Sequence, residues 1–347
     1  MRVDELRQLL KGYEKETIIE IAVELYKRVS KQAKEEYGID ETLSNFTEKK
    51  SLKKKPAEPI PFDELCDDVW TFVINADNQY YFSKRKDRAK WRFKVKEYIN
   101  ALIDAKGENS DIAAVLLIKI YRTLSYGCGH WIFNTDNPFR SVGYSQGELL
   151  GIIINKLFYG GVNNDNIRDA IALTLECFLD DTTLRIGLIM VLIGCLKSPE
   201  SKEIAIQQCG DYLKTELGAR FAADGLFKAR VDEYRRESIT ESAVELCFHL
   251  RAALYEYGKA ISVYWKDTKA TKPYTKEVAL YRLLSWLEMY EEVELWIREY
   301  EAAVRRGIKP RDNLETAYKF LKESGSFEEM NKKIEETSGI VYIGSFR

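Results

Sequence analysis

A run of basic side chains interleaved with aromatic rings occupies residues 84–96. Eight basic residues stand there against a single acidic one, Asp87, which gives the segment a net charge of +7. Ammonium and guanidinium groups bind phosphate, and exposed rings stack on nucleic-acid bases. The segment therefore predicts contact with nucleic acid or with an acidic protein, through Arg85, Arg88, Lys90, Arg92, Phe93, Lys94 and Lys96.

The same segment also has the pattern of an ordinary amphipathic helix. When residues 88–105 are projected as a helix, one arc holds Trp91, Val95, Tyr98, Ile99 and Leu102. Long basic stems beside such an arc commonly cover the edges of the apolar face. Phe93 lies opposite the arc, where it would meet either a partner or a neighbouring helix. The pattern leaves open whether the basic side chains bind a partner or only solvate the helix.

A second candidate contact is the predicted loop at residues 127–143, which is rich in glycine and contains Pro138. Loops of this length are uncommon in compact domains unless they are functional. The side chains in it that are suited to a partner are His130, Trp131, Phe133 and Arg140.

The two histidines of the chain each follow a cysteine by two positions, as Cys128–His130 and Cys247–His249. Two thiolates and two imidazoles would suit zinc, but Cys247 and His249 are predicted mid-helix, where that spacing sets them about 200° apart. Cys128 and His130 could alternatively form a nucleophile and base, although no orienting carboxylate accompanies them. We therefore predict no catalytic, cofactor-binding or metal-binding residues and no cofactor, and an enzyme is the third interpretation.

Composition narrows the classes of protein. Apolar residues make up 45% of the 347, and the net charge of −2 gives no global attraction to nucleic acid or to anionic membranes. The six cysteines include no Cys-x-x-Cys pair, as expected of reduced thiols. The charged N-terminus does not resemble a signal peptide, and the longest apolar run is shorter than the about 18 residues that span a bilayer. We expect a cytoplasmic protein with no membrane partner.

Helical periodicity runs through most of the chain and strand-like alternation is nearly absent, which predicts an all-α fold. One helix is predicted over 240–266, and Ser145 with Glu148 predicts a capping box at the start of another. The one strand-like run is Ile340 to Ile343. Lysines and prolines at 47–61 predict a linker, and a break follows residue 268. The predicted divisions are an N-terminal helical segment (1–46), the linker (47–61), a central helical domain (62–268) and a C-terminal hairpin region (269–347).

The C-terminal region matches itself at an offset of 37 residues. Tyr281 to Leu284 aligns with Tyr318 to Leu321, and Tyr290 to Val293 aligns with Phe327 to Met330. A fixed period of this size is typical of stacked helical hairpins. With Gly307-Ile308-Lys309-Pro310 closing the first unit, residues 279–336 resemble tetratricopeptide and pentatricopeptide hairpins. The resemblance implies an irregular α-solenoid that binds a partner.

The opening helix, with Leu9 to Tyr13 and Glu24 to Lys27, resembles the start of uncharacterised bacterial helical proteins. That resemblance implies no activity. The first functional hypothesis is therefore a non-catalytic helical-repeat scaffold or adaptor that binds a protein partner. The alternative is a nucleic-acid-binding protein that uses residues 84–96, and the oligomeric state stays open.

Overall fold

A computed structural model describes residues 3–36, 39–44, 60–214, 233–268 and 273–338. These residues form helices and connecting turns and contain no strand, so the predicted all-α class is confirmed for them. The strand-like run at 340–343 and most of the predicted linker lie outside the described residues. The chain divides into two compact units, Met1–Ile60 and Pro61–Arg347.

The described part of the first unit forms the short helices α1 (Val3–Lys11), α2 (Lys15–Arg28), α3 (Lys31–Glu36) and α4 (Ile39–Ser44). None of the side chains described in it is buried. Large apolar groups such as Leu9 and Leu25 stay exposed although their helices are amphipathic. The Tyr26 hydroxyl donates a hydrogen bond to Asp40, which ties α2 to α4.

The second unit begins with helices around α8, which is central and buried over most of its length. In chain order these helices are α5 (Phe62–Asp77), α6 (Tyr80–Ser83), α7 (Trp91–Asp104), α8 (Ser110–Gly129), α9 (Pro138–Val142) and α10 (Gln146–Leu157). A short 3-10 helix, Gly107–Asn109, precedes α8. Helix α8 packs against α5, α7, α9 and α10, so these elements share one core.

The remaining helices of this unit pack mainly against helices one or two positions away in the chain. They are α11 (Asn164–Glu176), α12 (Arg185–Cys195), α13 (Pro199–Lys214), α14 (Glu233–Ala252), α15 (Tyr257–Asp267), α16 (Pro273–Met289), α17 (Val293–Arg305), α18 (Asp312–Ser324) and α19 (Phe327–Ser338). One hydrophobic cluster joins α14 and α15 to all four C-terminal helices. The predicted division at residue 269 stays a prediction.

Two sequence-based expectations about local structure are wrong. The predicted loop at 127–143 is shorter, because α8 continues to Gly129 and residues 138–142 form α9. Asn137 caps α9 by accepting a hydrogen bond from the Arg140 amide at 2.9 Å. The predicted single helix over 240–266 is two helices, since the chain turns at Tyr255 with a φ of 60°.

The 37-residue offset is reflected in the core of the C-terminal helices. Leu284 on α16 and its counterpart Leu321 on α18 are both fully buried, and so are Leu280 and Ala317. The two hairpins thus use equivalent positions to pack.

Helix α10 begins with the capping box predicted from Ser145 and Glu148. The Glu148 amide donates to the Ser145 hydroxyl at 3.2 Å, and the Ser145 amide donates to the Glu148 carboxylate at 3.4 Å. This pair satisfies two amides that the helix itself leaves unpaired.

We expect Ser145→Ala to lower the free energy of unfolding by about 1 kcal/mol, because it removes the cap acceptor. Ser145→Asn preserves an acceptor and serves as the control, with a cost of a few tenths of a kcal/mol. Urea denaturation of the three proteins measures both values. Equal losses for alanine and asparagine would contradict the capping role.

Within the described residues, one helical stretch, Gly107–Gly129, is long and apolar enough by length and composition to cross a membrane. Of its most apolar window, 56% is buried inside the fold. Because core helices of soluble proteins pass the same test, this stretch is no argument for a membrane span.

Candidate functional site

The basic segment at 84–96 is a turn followed by the first two turns of α7. The backbone turns through hydrogen bonds from the Asp87 amide to Lys84 O and from the Lys90 amide to Asp87 O. The Arg88 Nε donates to Phe82 O at 3.0 Å, so Arg88 also helps to fix this turn. The other basic side chains are exposed, namely Lys84, Arg85, Lys86, Lys90, Arg92, Lys94 and Lys96.

The basic side chains of this segment form no ion pair within the part of the chain that the structure describes. Asp87 accepts a hydrogen bond from the Tyr80 hydroxyl at 2.9 Å. Among the described residues, no carboxylate lies within ion-pair distance of any of the eight basic groups, although some basic residues elsewhere are paired, such as Lys322 with Glu301 at 3.0 Å. Clustered charge of one sign produces a local positive potential that attracts anions.

The predicted buried arc of α7 is confirmed, since Trp91, Val95, Tyr98, Ile99 and Leu102 are all buried. Phe93, on the opposite side, is 64% exposed. The Arg92 guanidinium carbon lies 4.8 Å from the centroid of the Phe93 ring. An exposed ring with a cation beside it is suited to stacking with a base whose phosphate is nearby.

An aromatic cluster beneath the basic segment connects it to the second candidate contact. Phe133 is fully buried and its ring stacks on Trp91 with centroids 4.2 Å apart. The same ring lies 6.0 Å from Phe72 and 6.2 Å from Tyr81. Phe133 is therefore shielded from solvent and anchors residues 130–137 instead of meeting a partner itself.

A further contact joins α7 to the turn after α9. Gly143 has a φ of 83°, and the Nζ of Lys96 lies 2.7 Å from where a Cβ would stand on it. The Tyr144 hydroxyl donates to the Asn100 side chain at 2.7 Å. Arg140, on α9, is exposed. The two sequence-predicted contacts therefore adjoin in the fold, and we call residues 84–96 together with residues 130–140 the basic aromatic surface.

Trp131 is the second exposed ring of the basic aromatic surface, at 66% exposure. The buried side chains of Ile132 and Phe133 follow it, and the Ile132 amide donates to His130 O at 2.7 Å. His130 is half-buried and stacks on Tyr126 at 3.9 Å. Trp131 is therefore presented to solvent between two anchored neighbours.

The sequence pattern did not identify two buried polar side chains near this surface, Asn137 and Gln146. Asn137 Nδ2 donates to Asp181 at 2.6 Å, and Gln146 Nε2 donates to Phe178 O at 2.8 Å. The side-chain oxygen of Gln146 accepts from the Asp180 amide at 3.0 Å. The Asn-Pro pair before α9 was the available sequence signal, since Pro favours the first helical position.

Cys128 and His130 do not have the geometry of a nucleophile and its base. The Cys128 thiol points back along its helix to Leu124 O at 3.4 Å, and the His130 Nδ1 lies 3.2 Å from Tyr126 O. Burial, with the nearby charge of Asp180, raises the pKa of Cys128 to about 12. The thiolate, which is the reactive form, is therefore scarce near neutral pH.

The other pair lies in the core of α14. His249 is fully buried, and its Nδ1 lies 2.9 Å from the Tyr290 hydroxyl. Cys247 is buried as well, near Cys209 of α13. Among the described residues, no three His, Cys, Asp or Glu side chains are grouped so as to hold a metal ion.

Comparisons with protein-family models, curated proteins and solved structures gave no match to this chain.

Proposed function

We propose that this protein is a non-catalytic helical scaffold that binds nucleic acid through the basic aromatic surface. The observation that carries the proposal is the set of eight basic side chains at 84–96 without a carboxylate partner among the described residues. Such groups release the counterions of a phosphate backbone when they bind it, which drives association. Because the whole chain has a net charge of −2, the attraction is local to this surface.

The rings favour nucleic acid over an acidic protein. Phe93 and Trp131 are each about two-thirds exposed, at 64% and 66%. Carboxylates on a protein partner would pair with the lysines and arginines, but such a partner would need separate apolar groups to cover these rings. Nucleic acid supplies a phosphate for each cation and an aromatic base for each ring.

We expect binding of an oligonucleotide to weaken steeply with salt and to be lost in the triple variant Arg85→Glu, Lys90→Glu and Lys94→Glu. None of these three side chains makes a hydrogen bond or ion pair within the described structure, so the changes should leave the fold intact. The loss should be about 100-fold or more, and the slope of log K against log salt should fall by about 2–3. Fluorescence anisotropy over a range of salt concentrations measures both.

The matched control changes the same amount of charge on another surface. Lys276, Lys309 and Lys332 are exposed on the C-terminal helices or their connection and are replaced by Glu in a second triple variant. That variant should retain most of the affinity. Equal losses in the two triple variants would contradict a localised site, and preferential binding of an acidic polypeptide over the oligonucleotide would favour a protein partner at the same surface.

A second candidate function is an adaptor that binds a protein through an irregular α-solenoid of the C-terminal hairpins. It is supported by the hydrophobic cluster that runs from α14 to α19 and by the equivalent core positions of the two hairpins. Exposed Tyr274 and Val304 are the large apolar groups there that a partner would cover. A partner that stays bound after nuclease treatment and in high salt, and is released by Tyr274→Glu or Val304→Glu, would favour this function.

A further inference from the structure

We infer that the basic aromatic surface selects single-stranded over duplex nucleic acid, with Phe93 and Trp131 stacking on unpaired bases. This inference rests on the proposed function and names its ligand class. It is carried by two exposed rings, Phe93 among the cations of residues 84–96 and Trp131 on the segment whose Phe133 packs beneath Trp91.

Phe93 lies outside the buried core. It lies on the side of α7 opposite the buried arc that Trp91 and Val95 begin, and 64% of it is exposed. Lys90 and Lys94 flank it along the helix and are exposed too. With the Arg92 guanidinium carbon 4.8 Å from its centroid, the ring is surrounded by groups that bind phosphate.

Trp131 is held in place by what surrounds it. Phe133 is locked into the cluster with Trp91, and His130 stacks on Tyr126 with an interplanar angle of 10°. The backbone that carries the exposed indole is therefore fixed before binding, which is the advantage of a preorganised contact. The indole ring can thus take a base without rearranging the loop.

Stacking on these rings requires a base whose face is free. In a duplex each base is already stacked on its neighbours, and extracting one costs a few kcal/mol. The cations contact phosphates of either form, so they give affinity without selection. The rings add to the affinity only for a single strand, because its bases can rotate onto them.

The experiment compares a fluorescein-labelled single strand of about 15 nucleotides, within the usual site size of such surfaces, with its duplex at one salt concentration. Phe93→Ala and Trp131→Ala should each weaken single-strand binding by about tenfold or more and leave duplex binding within about twofold. Phe93→Tyr should retain binding. Phe93→Leu should lose it, because leucine keeps an apolar side chain but has no ring face.

Alanine variants of two exposed rings outside the surface, Tyr255 at 85% and Tyr274 at 76%, are the controls and should bind normally. Two outcomes would overturn the selection of single strands and keep the proposed function. In the first, the Phe93 and Trp131 variants lose equal affinity for the single strand and the duplex. In the second, these variants lose no affinity while the charge-reversal triple variant fails to bind. If neither probe binds the wild-type protein in low salt, the proposed function falls and the inference with it.

Discussion

Phe133→Ala is expected to lower the free energy of unfolding by about 3–5 kcal/mol, the usual cost of removing a fully buried phenyl ring. The ring is 0% exposed and is stacked on Trp91 at 4.2 Å. The ring also packs against Gly127, since a Cβ added to Gly127 would lie 2.6 Å from it. The truncation therefore leaves a cavity between α7, α8 and the 130–137 segment. Urea denaturation measures the loss.

Trp131→Ala, two residues away, is the matched control because it removes a larger ring that is exposed. Its effect on stability should stay within about 0.5 kcal/mol, as for most surface substitutions. Phe133→Leu should fall between the two. If Trp131→Ala cost as much as Phe133→Ala, the segment would not be anchored as described. Phe133→Ala should also weaken single-strand binding under conditions where the protein stays folded, since Trp131 loses its support.

The buried face of α7 could be predicted from sequence because helical periodicity alone determines it. The arc from Trp91 to Leu102 follows the 3.6-residue repeat, and every member of it is buried. The exposure of Phe93 followed from the same projection. The sequence pattern did not establish that the basic groups lack carboxylate partners, because such partners would come from elements distant in the chain.

The sequence could not predict that the two candidate contacts, residues 84–96 and residues 130–140, lie next to each other in the fold. Phe133 and Trp91 are 42 positions apart in the sequence, and no local pattern reports a contact between them. The short helix α9 did have local signals, namely Asn137 as a cap, Pro138 at its start and Gly143 in the left-handed conformation after it. They were overlooked because neighbouring glycines favoured a continuous loop.

The break in the predicted helix over 240–266 had a weaker signal. Tyr255 adopts a left-handed φ of 60°, which is uncommon for a residue with a Cβ, and no glycine or proline marks the turn. In the C-terminal region, the 37-residue offset correctly pairs core positions of the first hairpin with core positions of the second, such as Leu284 with Leu321. That α14 belongs to the same core depends on tertiary contacts such as Phe248 with Trp286 at 4.9 Å.

Glu245 and His249 on α14 give the second large expected effect, a pH dependence of stability with two opposing parts. Burial lowers the pKa of His249 to about 3 and raises the pKa of Glu245 to about 7. Arg282 and Arg185 act to lower the Glu245 pKa and Glu241 to raise it, and burial outweighs them. The carboxyl oxygen and His249 Nε2 are 3.9 Å apart, but between pH 5 and 6.5 both groups are mostly neutral and form no ion pair.

The two groups change stability in opposite directions. An unfolded histidine binds its proton below about pH 6.5 while folded His249 binds it only near 3, so stability falls as pH drops through that window. Folded Glu245 keeps a proton that the unfolded chain releases above about 4.5, so stability falls as pH rises toward 7. Each slope approaches about 1.4 kcal/mol per pH unit, and between 4.5 and 6.5 they largely cancel.

Single variants separate the two slopes. As the pH rises from 4 to 8, the free energy of unfolding of Glu245→Gln should increase by up to about 3 kcal/mol relative to that of the wild type, because the variant has no carboxyl to ionise. As the pH falls from 6.5 to 3, the free energy of unfolding of His249→Gln should increase by several kcal/mol relative to that of the wild type, since the variant has no buried imidazole that resists protonation. Other carboxylates titrate in all proteins and cancel in these differences. Urea denaturation at each pH gives the curves.

Glu241→Gln is the matched control, because Glu241 lies one turn before Glu245 on the same helix and its side chain is 63% exposed. A common pH dependence for the Glu241 and Glu245 variants would mean that burial does not govern the titration of Glu245. A steeper fall of the free energy of unfolding above pH 5 in Glu245→Gln than in the wild type would contradict the raised pKa of Glu245. Divergence of the two variants only above about pH 4.5 would show that α14 holds a neutral, largely buried carboxyl at the expense of stability near neutral pH.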